Sequence, residues 1–143
     1  MASNVYIYDL NSQYQKDSSR LVLYNNDVIS NKITNVLLTS SNAFTRLGSR
    51  MFEPTFGGNL EFFLFEPMAE TVADNIKMML YTNITKWVEE IDLKFGDIDV
   101  TADYDLECYD IALYWKNKNT SQLGETKMKV FIHSNIDIIT GGV

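Results

Sequence analysis

This chain has one cysteine, one histidine and two prolines in 143 residues. A single thiol, Cys108, cannot form an intrachain disulfide or a thiolate metal cluster, and it points to folding in a reducing compartment. One imidazole and one thiol fall short of the ligand set of a zinc site. No apolar run approaches the roughly 20 residues of a membrane helix. The start, Met1-Ala2-Ser3-Asn4, has neither the charged lead nor the apolar stretch of a signal peptide. Cations are also scarce, with 12 Lys and Arg against 19 Asp and Glu and a net charge of −7. That balance argues against a non-specific nucleic-acid binder, which needs a basic field. No phosphate loop, dinucleotide fingerprint or nucleophile elbow occurs, and no cofactor is expected. The expectation is a soluble protein made inside the cell.

What is present suffices for one domain with a real core. The hydrophobic fraction is 45%, and the aromatics include eight Tyr and eight Phe, enough for sticky surfaces as well as an interior. Residues 1–24 read as an extended arm with a short strand at each end, around Val5–Tyr8 and Leu21–Tyr24. Asn25-Asn26-Asp27 supplies cap chemistry for a helix, and Val28, Ile29, Ile33, Val36 and Leu37 recur at helical spacing until the turn formers at Thr39–Asn42. Asn59–Phe65 is predicted as a short strand or a turn of helix. A second helix runs from Glu70 to about Val88, with an apolar stripe of Val72, Ile76, Met79, Leu80, Ile84 and Trp87.

From Ile91 the period changes to two. Leu93, Phe95, Ile98, Val100 and Ala102 alternate with polar residues, with a bulge or kink at Gly96-Asp97. Tyr109, Ile111, Leu113 and Trp115 alternate in a second strand. Asn117–Gly124 reads as a polar loop, and Met128, Val130 and Ile132 mark a third strand. Residues 136–143 form a tail that either adds a strand or frays. The fold class is therefore α+β, two main helices on a small antiparallel sheet. The domain spans 25–135, between the arm at 1–24 and the tail at 136–143.

Little of this is catalytic raw material. His133 reads as a strand-end histidine, and Cys108 as a packed thiol. Glu53, Glu66, Glu89, Glu90, Asp92, Asp97 and Asp99 occur at the background frequency of an acidic protein. A glycosidase would need two carboxylates held about 5–10 Å apart across a cleft. No catalytic residue is assigned.

The most informative run is Gly48-Ser49-Arg50-Met51-Phe52-Glu53-Pro54-Thr55-Phe56-Gly57-Gly58-Asn59-Leu60, followed by Leu64-Phe65-Glu66-Pro67. It holds both prolines, each directly after a glutamate. It is too apolar for a linker and too broken for a helix, so packing must fix its backbone. Arg50 within it has two readings: a clip to Glu53 or Glu66, or a contact to a partner.

Taken with the following helix that ends in Trp87-x-x-x-Ile91 and the strands after it, this block resembles the baseplate wedge or sheath initiator family of contractile phage tails. Some members are labelled lysozyme-like, and counterparts occur in type VI secretion baseplates. The resemblance spans about Val28 to Ile132. It implies a sheet like the inner domain of tail sheath proteins and a structural role, templating the first sheath ring by strand addition. It further implies no enzymatic activity, and as partners a tail sheath protein, other wedge proteins, and hub or tube-initiating proteins. It implies six copies in a virion baseplate assembled in the host cytoplasm, with no nucleic acid or membrane contact. Gly48, Arg50, Phe52, Glu53, Phe56, Glu66, Trp87, Glu89 and Glu90 are the candidate partner-binding or loop-clamping residues. The chain departs from the family where an aromatic is followed by Glu-Pro-Arg: Trp87 is followed by Val88, Glu89 and Glu90, an anion in place of a cation. The rival readings are a peptidoglycan-cleaving enzyme, a component of a related injection or secretion machine, and an unrelated interaction module.

Overall fold

The computed structural model describes residues 8–10, 22–39, 57–58, 60–63, 66–132 and 136–139. The two ends of the predicted arm pair with each other. Strand β1 (Tyr8–Leu10) runs antiparallel to β2 (Val22–Tyr24), with Tyr8 opposite Tyr24. Helix α1 (Asn26–Leu38) follows directly. Its apolar face, Val28, Ile29, Ile33, Val36 and Leu37, is fully buried as the spacing predicts. The cap differs from expectation. Asn25 sits at φ 50° and its side chain makes no capping bond; its carbonyl accepts the Ile29 N–H at 3.2 Å.

A 3-10 turn (Leu60–Phe63) leads toward helix α2 (Glu70–Trp87). Gly58, just before the turn, lies against the end of α1. A Cβ there would stand 3.0 Å from the Val36 carbonyl oxygen and 3.2 Å from the Leu37 Cα, so the two backbones meet where only glycine fits. Its N–H donates to the Thr39 carbonyl at 3.0 Å. The buried line of α2 is Ala73, Ile76, Leu80 and Ile84, while Val72, Met79 and Trp87 flank it half-buried. The stripe is thus rotated slightly from the sequence reading, toward a small residue that the hydrophobic count passes over.

The sheet is antiparallel and has four strand positions. At one edge lie β3 (Ile91–Asp92) and β4 (Ile98–Asp103), both paired to β5 (Cys108–Asn117) and separated by a 3-10 turn at Phe95–Asp97. That turn replaces the predicted bulge, and Asp97 closes it by accepting the Lys94 N–H at 3.1 Å. Then come β6 (Leu123–Phe131) and β7 (Ile136–Ile139). The C-terminal segment therefore adds a strand, with Ile138 opposite Met128. Tyr109, Ile111, Leu113 and Trp115 of β5 are buried beside Ile98 of β4 and Met128 and Val130 of β6. They form one core with the apolar faces of both helices. The fold is α+β, two helices and a small antiparallel sheet. No described helix is long and apolar enough to cross a membrane.

Strand β6 begins earlier than the sequence suggests, and Trp115 explains why. Gly124 lies opposite Trp115 in the ladder, and a Cβ on it would fall 2.3 Å from the indole Cζ2. The glycine is a seat for the ring rather than a turn residue. The indole Nε1–H donates to Thr126 Oγ1 at 3.2 Å inside the core. Gly124→Ala should cost about 1–3 kcal/mol, because the buried ring has nowhere to move. Thr126→Val should cost a similar amount, about 1–3 kcal/mol, by leaving that N–H unpaired. Trp115→Ala should lose about 3–5 kcal/mol and Trp87→Ala clearly less, since Trp87 is only half-buried. Urea titrations of the four variants check the order; equal losses at the two tryptophans would show the burial ranking to be mistaken.

Candidate partner-binding site

Of the residues singled out in the sequence, Gly48, Arg50, Phe52, Glu53 and Phe56 lie outside the described residues, as does His133. Glu66 is exposed, and its N–H reaches the Phe63 carbonyl at 3.4 Å, closing the 3-10 turn. The other three meet at the end of α2. Trp87 packs on the rim of the core with the Lys86 ammonium 4.7 Å from its ring centre. Glu90 forms an ion pair with Lys32 of α1. Its carbonyl accepts the Lys118 N–H at 2.9 Å. The Glu89 carbonyl accepts from the Lys118 ammonium at 2.9 Å. The Glu89-Glu90 turn thus joins α1, α2 and the β5–β6 turn, and Glu90 finds its cation within the chain.

The face of the sheet away from the helices is polar. Asp99 and Thr101 of β4 are exposed there, next to Asp110 and Ala112 of β5 and Lys127 and Lys129 of β6. Ala112 floors a shallow depression among them. Lys129 bonds the Asp110 carboxylate at 3.1 Å across the strands, and Lys127 bonds Glu125 at 2.9 Å. Each partner holds its ammonium above the ordinary lysine range, chiefly through the hydrogen bond. Cys108 lies on this face by register but is buried. Burial, then the Asp110 carboxylate, pushes its thiol up, so it stays protonated and unreactive at neutral pH.

Asp103, Cys108 and Asp110 bring their ligand atoms within 4.8 Å of one another. Their oxygens are engaged, however. Asp110 holds Lys129, and Asp103 Oδ1 accepts the N–H groups of Asp105 and Leu106 at 3.1 Å each. That bonding shapes the β4–β5 turn, which presents Tyr104 and Leu106 to solvent at 61% and 55% exposure.

The longest edge strand of this sheet among the described residues is β4. Its inner side pairs with β5 over all six residues, and no described strand pairs with its outer side. At the other side of the sheet β7 covers β6 and is itself the outermost described strand, four residues long. An edge strand presents a row of N–H and C=O groups that water or another strand must satisfy. Sequence reasoning located the strand but not its place at an edge, because strand order depends on pairings between distant segments.

No protein-family model matches the chain, and no curated protein matches it either. Among solved structures, it is similar to a Geobacter sulfurreducens protein described as a candidate tail lysozyme. The two share 16% identity and superpose with a TM-score of 0.62, over 76% of this chain and 91% of that one. At that identity the likeness establishes a common fold.

Two outcomes test this site. Iodoacetamide at pH 8 should label Cys108 slowly in the native protein and quickly once urea unfolds it. Rapid native labelling would show the thiol to be open. For Lys32 and Glu90, a double-mutant cycle with alanine should give a coupling of about 0.2–1 kcal/mol that shrinks with salt.

Proposed function

We propose that this chain is a structural component of a contractile tail baseplate, a wedge protein that templates the first sheath ring by accepting an extended strand. The observation that carries the reading is the open edge of β4, a regular six-residue strand free of proline and glycine, longer than β7, the four-residue strand at the other edge of the sheet. The motif from Gly48 to Pro67 and the fold shared with a tail protein support it. In this reading β4 takes an arm of a sheath subunit by strand addition: main-chain bonds give affinity, and side chains at alternate positions select the partner. The other surfaces contact further wedge proteins and hub or tube-initiating proteins, in six copies around the tail. The chain is then no enzyme. Glu90, Asp97, Asp103, Asp110 and Glu125 serve ion pairs and turns.

The rival reading is cell-wall hydrolysis, favoured only by the description of the similar structure, and fold alone does not carry chemistry. Proline scanning of β4 addresses the strand-addition reading. Along an edge strand the N–H groups point alternately to the neighbour and to solvent. Proline at Asp99, Val100, Thr101 and Ala102 in turn should therefore fall into two classes. One class unfolds or weakens the sheet. The other removes unused donors, leaves the circular dichroism and melting curve intact, and stops sheath polymerisation on the baseplate. Normal sheath growth with every folded proline variant would favour side-chain docking instead. Clearing of purified peptidoglycan by the wild-type protein, lost in folded Glu66→Gln, would install the hydrolase reading.

A further inference from the structure

The negative charge of the molecule is gathered on one hairpin, and that hairpin contains the open edge. Between Lys94 and Lys116 the chain has no lysine or arginine, yet it has six carboxylates: Asp97, Asp99, Asp103, Asp105, Glu107 and Asp110. Three are committed, Asp97 to the 3-10 turn, Asp103 to the β4–β5 turn and Asp110 to Lys129. Asp99 and Asp105 are exposed and make no ion pair among the described residues. Asp99 stands near the start of the edge strand and Asp105 at the tip beyond its end. An uncompensated charge therefore flanks the unpaired backbone groups at both ends of β4.

This arrangement selects the occupant. Side chains directly opposite on neighbouring strands sit about 4.5–5.5 Å apart at Cβ, where like charges repel and unlike charges attract. A second copy of this hairpin laid along β4 would bring acidic rows together, so self-association through this edge is opposed. A strand with cations at the matching positions gains two exposed pairs on top of the main-chain ladder. We infer that the segment received by β4 belongs to a partner protein and is an extended strand carrying lysine or arginine opposite Asp99 and beside Asp105. This rests on the strand-addition reading and specifies its partner chemistry. The exposed Tyr104 and Leu106 at the tip add contact area.

The test uses the full chain and synthetic peptides of about ten residues, long enough to span a strand, alternating Thr–Arg or Thr–Glu. The arginine peptide should slow amide hydrogen exchange across residues 98–103, and the glutamate peptide should not. About 0.5 M salt, where the Debye length is only about 4 Å, should largely abolish the protection. Asp99→Lys with Asp105→Lys, both on the surface, should keep the fold by circular dichroism, weaken the arginine peptide about tenfold or more and admit the glutamate peptide. Equal protection by both peptides, or none by the arginine peptide at millimolar concentration, would overturn the inference. It would leave strand addition to be judged by the proline variants. Conversely, arginine-peptide binding together with sheath growth unaffected by the edge prolines would keep the acidic edge as a basic-strand site and remove its role in sheath templating.

Discussion

Burying a polar side chain is costly unless its donors and acceptors find partners, and the inner row of β5 buries three. Tyr109 is fully buried, and its hydroxyl accepts the Ala69 N–H at 3.2 Å, at the entry to α2. Trp115 donates to Thr126 and fixes β6. Asn117 is fully buried as well. Its Nδ2 donates to Asn26 Oδ1 of α1 at 2.9 Å, and its Oδ1 accepts the N–H of Asn119 at 2.9 Å in the β5–β6 turn. One strand thus holds both helices and the neighbouring strand in register. The apolar residues between these three supply the attraction, and the polar atoms decide the arrangement.

The same organisation leaves the outer face and the β4 edge free of structural duty. Cross-strand ion pairs cover much of that face, and its turns are closed by their own aspartates. The edge is different, because its far backbone groups are satisfied by nothing described in the chain. The uneven charge of the β4–β5 hairpin lies along this same edge.

Sequence periodicity made most elements legible. Helical spacing at Val28–Leu37 and at Ile76–Ile84 marked α1 and α2 to within a residue or two, since an apolar face must recur every turn. Alternation from Ile98 to Ile111 and onward marked β4, β5 and β6. The misses have local causes. Gly124 looked like a loop residue because its purpose, seating the Trp115 ring, is a contact between strands. Gly96-Asp97 suggested a bulge, but Asp97 bonds its own turn. Asn25 suggested a side-chain cap, and a backbone at positive φ took its place. The Trp87 and Glu90 region was legible as a departure from a pattern, but Lys32, its partner, lies 58 positions away and nothing in the spacing announces it. For the same reason the open edge was invisible: strand order is a long-range property.

The hydrogen bond from Asn117 to Asn26 joins positions 91 apart, and this has a consequence for how the molecule assembles itself. The β5–β6 hairpin closes over a short turn, so its loop entropy is small and it can form first. The Asn26 side chain at the start of α1 can complete this bond only once the end of β5 is in place. The expected folding order is therefore the β5–β6 hairpin first and its contact with α1 later, the reverse of their order along the chain.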